Sequence, residues 1–165
     1  MRILVVASSK HGATNEIADF IAEQLDNAGY DVARSRPEDV SSLDDVDAVV
    51  CGSAVYMTQW MEESRAFLDR FRSQLAELPF WAFSVGMSGI PKHSPQDPFR
   101  IGPALLKVQA DDHHSFAGRY DPGLLSLRER SIARLAGAVE GDFRDWDEVA
   151  DWTRTIIAHL EGDLP

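Results

Sequence analysis

Apolar residues change their period along this chain, and the changes mark out elements. Residues 3–7 form an unbroken, β-branched-rich run, the pattern of a strand covered on both faces. Ile17, Phe20, Ile21 and Leu25 then recur at helical spacing, and Gly29 falls where the residue just past a helix belongs. Residues 30–35 read as a second strand, and residues 46–54 as a third, buried one ending at Gly52 and Ser53. Phe67, Leu68, Phe71, Leu75 and Leu78 make one helical stripe that Pro79 stops. Residues 80–87 read as a fourth strand.

Residues 88–103 carry too much Pro and Gly for regular structure until about Ala104. Residues 113–120 suit a fifth strand, and Leu125, Ile132, Leu135 and Val139 mark an amphipathic helix. A last helix opens with Asp145 and Glu148, spaced as in a capping box. Its stripe is Trp146, Val149, Ala150, Thr153, Ile156, Ile157 and Leu160. Strands and helices alternate, which predicts one α/β domain over residues 1–165 with a mostly parallel, doubly wound sheet between helices. Ligands of such sheets bind at the carboxyl ends of strands, near the point where strand order reverses. The loops after strands one, three and four are therefore the places to look.

The first of them runs from Ser8 through Ser9, Lys10, His11, Gly12 and Ala13 to Thr14. A loop entering a helix presents free N–H groups and a partial positive charge, which suits a phosphate. Ser8, Ser9 and Thr14 add hydroxyls, and Gly12 permits close backbone approach. The spacing is neither a G-x-x-x-x-G-K-S/T loop nor a G-x-G-x-x-G fingerprint. A monophosphate fits it; a plain polar turn in which Thr14 caps the helix fits it equally. The second loop offers Ser53, Ala54, Val55 and Tyr56, with Trp60 beyond. The third offers Ser84, Val85, Gly86, Met87 and Ser88. A phosphate nest, an aromatic wall and backbone-lined contacts on one edge are what a mononucleotide with a large flat ring needs. Tyr56 and Trp60 as ordinary core or rim aromatics are the other reading.

Composition adds exclusions. The chain has 165 residues and a net charge of −11, 16 basic against 27 acidic side chains. That balance argues against a nucleic-acid groove, which needs clustered Lys and Arg. It suits solubility and docking to a basic protein. A lone cysteine, Cys51, admits no intramolecular disulfide and fits a reducing compartment. No apolar run approaches the roughly 20 residues that span a bilayer, and the N-terminus lacks a secretory pattern, so the expectation is a cytoplasmic protein.

The flavodoxin phosphate loop, S/T-x-T-G-x-S/T, is matched here by Ser9, Gly12 and Thr14, with His11 at a position usually hydroxylic or, in one branch, acidic. The chain resembles the flavodoxin-fold family. Within it, the chain is similar to the flavodoxin-like protoporphyrinogen oxidases that pass electrons to menaquinone. That narrower resemblance rests on "VVCGSAVY", on "FAGRY" at residues 116–120 and on "DFRDWDEVADWTRTIIAHL". It implies a five-stranded parallel sheet of order 2-1-3-4-5 and non-covalently bound FMN. Ser8 to Thr14 would hold the phosphate, with ring walls at Ser53 to Tyr56 plus Trp60 and at Ser84 to Ser88. Gly118 and Arg119 would border the pocket. The same loops would accept the phosphate of a deazaflavin.

The resemblance also implies a reduced porphyrin as substrate, a membrane surface, and an insert that corresponds here to about residues 87–112. Beyond the insert, Arg119, Arg128, Arg130 and Arg134 would meet propionates or simply solvate a helix, and the family's aromatic density is missing. Two rival readings remain: a flavodoxin-type carrier that docks on redox proteins through its acidic surface, and a flavin-free interaction module favoured only by His11. His113 and His114 are adjacent in a strand, point to opposite faces and should not share a metal. Cys51 and Trp81 read as core. No residue beyond cofactor contacts is assigned a catalytic role, since a flavin carries the electrons itself.

Overall fold

The computed structural model describes residues 1–57, 59–86, 108–135 and 137–162. Five parallel strands form its centre: β1 (Arg2–Ser8), β2 (Asp31–Ser35), β3 (Ala48–Tyr56), β5 (Phe80–Val85) and β6 (Asp112–Phe116). Their order is β2-β1-β3-β5-β6, the expected doubly wound sequence, with reversal between β1 and β3. A two-residue strand, β4 (Gln59–Trp60), folds back antiparallel on the end of β3, pairing Val55 with Trp60.

Strand alternation splits the core into two layers. Ile3, Val5, Ala7, Ala48 and Val50 face α1 (Ala13–Asn27) and α5 (Trp146–Leu160), where Phe83, Trp152 and Ile156 complete one cluster. Leu4, Val6, Val49, Cys51 and Ala82 face α2 (Glu62–Arg70) and α3 (Arg72–Leu75), packing on Phe67, Phe71 and Leu75. The 67–78 stripe is thus two helices joined at Phe71 rather than one. Its contacts survive because the ladder runs through the joint, with Phe71 N–H on the Phe67 carbonyl at 3.1 Å and Leu75 N–H on that of Phe71 at 2.9 Å. Gly29, at φ 96°, closes α1: its N–H meets the Asp26 carbonyl and Tyr30 N–H meets that of Leu25. At Gly52 a Cβ would lie 2.0 Å from the Phe83 ring, so only glycine lets that ring cross the sheet.

Three expectations need correcting. The fifth strand stops at Phe116, because Gly118 passes so close to the Gly86 carbonyl that a Cβ there would sit 2.1 Å from it. The chain then leaves the sheet for a separate pair, β7 (Arg119–Tyr120) against β8 (Gly141–Asp142). Next, the amphipathic helix marked by Leu125, Ile132, Leu135 and Val139 is the shorter α4 (Leu127–Leu135), with Leu125 and Val139 outside it. Only Ala133 is buried in it, while Leu127 and Leu135 are 80 % and 89 % exposed. Last, Asp145 caps α5 by accepting from the N–H groups of Asp147 and Glu148, but the Glu148 side chain turns to His114 instead of closing the box. Trp146 is a rim residue stacked near Phe20, and Trp152, absent from the expected stripe, takes its buried place. Among the described residues no helix is long and apolar enough to cross a membrane. The Pro- and Gly-rich stretch, and Met87 and Ser88 with it, lie outside the described residues.

Candidate functional site

A cavity of about 90 Å³ opens at the carboxyl edge of the sheet, beside the reversal of strand order. Its floor is the β1–α1 loop. Gly12 stands at the start of α1 with φ 91°, a left-handed conformation that suits glycine, and its N–H donates to Ser9 Oγ at 2.9 Å. Among the described residues no side chain caps α1, so the first-turn N–H groups after Gly12 face the cavity end without a partner there. Thr14 lines the cavity, is 1 % exposed, and its hydroxyl has no hydrogen bond among the described residues. A buried hydroxyl without a partner costs about 1–3 kcal/mol. Uncapped N–H groups and an orphaned hydroxyl together suit an anion, and FMN's phosphate is one.

Arg119 strengthens the same end. Its Nη2 donates to the His11 carbonyl at 3.2 Å, and its Nη1 meets Glu16 in the first turn of α1 at 3.2 Å. Arg144 binds Glu16 too, at 2.6 Å, and grips Asp142 through two nitrogens at 2.9 and 2.7 Å. This network fastens β7 and β8 to the start of α1. The Arg144 hydrogen bond, outweighing desolvation, holds the Asp142 carboxyl below its usual range.

One wall is Ala54, Val55 and Tyr56 at the end of β3, and another is Val85 and Gly86 at the end of β5. The roof comes from the C-terminal third: Tyr120, Leu125, Glu129 and Ile132. Hence the apolar side of α4 faces the cavity. Glu129 is held firmly. Its Oε2 accepts from Ser126 N–H at 2.8 Å while its own N–H donates to Ser126 Oγ at 3.2 Å, a reciprocal capping box. Its Oε1 meets Lys10 Nζ at 3.2 Å and His11 Nε2 at 3.5 Å. The Ser126 N–H bond, aided by Lys10 and opposed by desolvation, lowers the Glu129 carboxyl to about 2. Lys10 Nζ in turn sits 3.9 Å above the centroid of the Tyr56 ring.

Of the residues expected at the site, Ser9, Lys10, His11, Ala13, Thr14, Ala54, Val55, Tyr56, Val85, Gly86 and Arg119 line this cavity. Others serve beneath it. Ser64 donates to the Gly52 carbonyl at 3.0 Å, so the 2.7 Å contact from Ser8 to Ser64 uses the Ser8 proton inside the core. Ser53 Oγ braces the hairpin, donating to the Ala54 carbonyl and accepting from Met61 N–H, both at 2.9 Å. Trp60 is 2 % exposed, and its Nε1 donates to Ser84 Oγ at 2.8 Å. It is therefore an aromatic of the core and lies behind the cavity wall. Ser84 Oγ also lies 2.8 Å from His113 Nε2. Burial, outweighing the field of Asp112, pushes the His113 imidazole below its usual range, which suits a neutral ring accepting from Ser84. His114 points the other way, 2.9 Å from Glu148. Cys51 is fully buried, and desolvation lifts its thiol to about 12, which keeps it unreactive.

Tyr120, Leu125, Glu129 and Ile132 were absent from the expected site. One signal for them is in the sequence: Ser126 and Glu129 stand in S-x-x-E spacing at a helix start, which fixes where α4 begins and which side Ile132 takes.

Known proteins resemble this chain over nearly its whole length. Protoporphyrinogen IX dehydrogenase (quinone) of Escherichia coli strain K12 is 27 % identical over 180 residues, covering 97 % of this chain and 96 % of that protein. Among solved structures, a flavodoxin from the domain Archaea superposes with a TM-score of 0.59 at 16 % identity, covering 93 % of this chain and 99 % of that one. The flavodoxin of Streptococcus pneumoniae TIGR4 does so with a TM-score of 0.59 at 17 % identity, covering 96 % and 99 %. The family described as "Flavodoxin domain" matches residues 4–147, and with that share of its length covered the chain belongs to the flavodoxin-domain family.

Proposed function

We propose that this chain is an FMN-binding oxidoreductase whose substrate is a reduced porphyrin or a similar flat, oxidisable ring. The single observation that carries FMN is the buried Thr14 hydroxyl, without a partner among the described residues, beside the uncapped start of α1 on a cavity also walled by Tyr56. In this reading the first-turn N–H groups and Thr14 bind the phosphate, with the Arg119 guanidinium adding positive potential. Tyr56 offers the ring a stacking face, and Leu125 and Ile132 keep water from it. FMN, when bound, supplies a ring that takes up two electrons from a substrate and hands them to an acceptor. The porphyrin reading leans on the Escherichia coli relative and its full-length match. A flavodoxin-type electron carrier is the second reading, favoured by the flavodoxin neighbours and by the −11 charge, which suits a basic protein partner.

The test is to load the purified protein with FMN, desalt it and record its absorbance. About one equivalent of retained flavin is expected, and a colourless protein overturns the assignment. Protoporphyrinogen IX with a quinone acceptor is then added. Growth of porphyrin fluorescence above the uncatalysed rate supports the oxidase; its absence, with electrons passing only to a redox protein, selects the carrier.

A further inference from the structure

The cavity is smaller in volume than a flavin ring requires. An enclosed space of about 150 Å³ accommodates a single benzene, whereas the opening here measures about 90 Å³. Part of the space beside Tyr56 is taken by a side chain of the cavity wall itself. Lys10 lays its ammonium 3.9 Å over the Tyr56 ring, on the face an aromatic ligand would use, and pairs with Glu129 Oε1 at 3.2 Å. Glu129 is immobilised by its reciprocal bonds with Ser126, and its side chain is only 13 % exposed. Lys10 is on a loop and its side chain is 34 % exposed. One partner is fixed and the other can swing.

We propose that Lys10 is a gate on the ring-binding face of Tyr56, aimed there by Glu129, and that an entering flavin must displace it. The proposal rests on the FMN reading and deepens it: affinity is set by a competition between a cation and a planar ring for one tyrosine. Because the ammonium can leave the ring and stay near the Glu129 carboxylate, opening sacrifices the cation–ring contact and keeps much of the ion pair. The gate acts on the ring and not on the phosphate. Riboflavin, which lacks the phosphate, must therefore feel it as strongly as FMN does.

The experiment measures dissociation constants and association rates of riboflavin and of FMN by flavin fluorescence, for the wild type, Lys10→Met, Lys10→Arg and Glu129→Gln. Met keeps the length and apolar stem of Lys10 but loses the charge. Lys10→Met is expected to bind both flavins more tightly by the same factor, roughly 3- to 30-fold, with faster association. Lys10→Arg keeps both contacts and should show no gain. Glu129→Gln retains the Ser126 bond and loses the ion pair, so its gain should fall between the two. Weaker FMN binding by Lys10→Met with riboflavin unchanged makes Lys10 a phosphate ligand and overturns the gate. Unchanged affinity for both flavins overturns it as well, while leaving the FMN reading intact. Flavin binding by neither the wild type nor Lys10→Met removes the FMN reading, and the gate falls with it.

Discussion

Two polar sites, one around Ser84 on β5 and one at Thr14 just past β1, lie on either side of β3, and they are opposites. In one, Trp60, Ser84 and His113 are joined by two contacts of 2.8 Å, with Ser84 fully buried between its partners. In the other, Thr14 is buried just as deeply, and its hydroxyl meets nothing among the described residues. Ser84 and Thr14 are both short hydroxyl side chains at or just past the end of an apolar strand, so their chemistry looks alike on paper. The difference lies in accounting for partners. A polar group satisfied inside the protein holds the fold, and one left over at a cavity waits for a ligand. The second case marks the end of the molecule where FMN is proposed to bind.

Ser84→Ala should expose that contrast most sharply. It strands the Trp60 N–H and the His113 Nε2 together, each at about 1–3 kcal/mol, so a loss of about 2–6 kcal/mol is expected in denaturant unfolding. Flavin affinity should hardly change. A loss below about 1 kcal/mol would mean that water or a shifted side chain replaces Ser84, and the cluster would not be closed. Thr14→Ala should behave in reverse. Stability should hold or rise slightly, because an unpartnered buried hydroxyl is removed. FMN affinity should fall roughly 10- to 100-fold, the value of one hydrogen bond to a charged group at about 1.5–3 kcal/mol, with riboflavin unaffected. Equal losses for FMN and riboflavin would show that Thr14 supports the loop and does not touch the phosphate.

Much of this was readable before any coordinates. The parallel, doubly wound class was readable from continuous apolar runs in residues 3–7, 46–54 and 80–87, which require cover on both faces and hence helical crossovers, whereas the order 2-1-3-4-5 came from the flavodoxin resemblance alone. The β1–α1 loop was readable because glycine, hydroxyls and a helix start coincide within a few residues. Trp60 was not. The chain turns at Met57, a non-glycine residue at φ 50°, and that turn folds Trp60 back onto β3 and into the core. An aromatic residue after a strand reads the same whether it lines a ligand or plugs the sheet. Leu125 and Ile132 carried the opposite ambiguity: their helical spacing announces an apolar face, but spacing cannot say whether that face meets core or cavity. Strands β7 and β8, of two residues each, are too short to leave any period.

The smallest expected effect separates the same two ends of the molecule by pH. His113 belongs to the closed cluster, and burial lowers its imidazole in the fold, so the unfolded chain binds its proton first on acidification. Its share of the stability is complete above the ordinary histidine value near 6.5 and shrinks as pH falls below it. Glu129 belongs to the cavity roof, and its carboxyl drops to about 2 from the ordinary value of 4.5. Its share is complete above 4.5 and disappears as pH falls through the window from 4.5 to 2. Unfolding free energies across acid pH should therefore decline in two stages. His113→Gln should flatten the upper stage alone, and Glu129→Gln the lower one alone. Because Glu129 pairs with the half-exposed Lys10, added salt should shallow the lower stage more than the upper. If Glu129→Gln leaves the lower window unchanged, the carboxylate contributes nothing to the fold by its charge, and the fixed partner that aims Lys10 is lost from the argument.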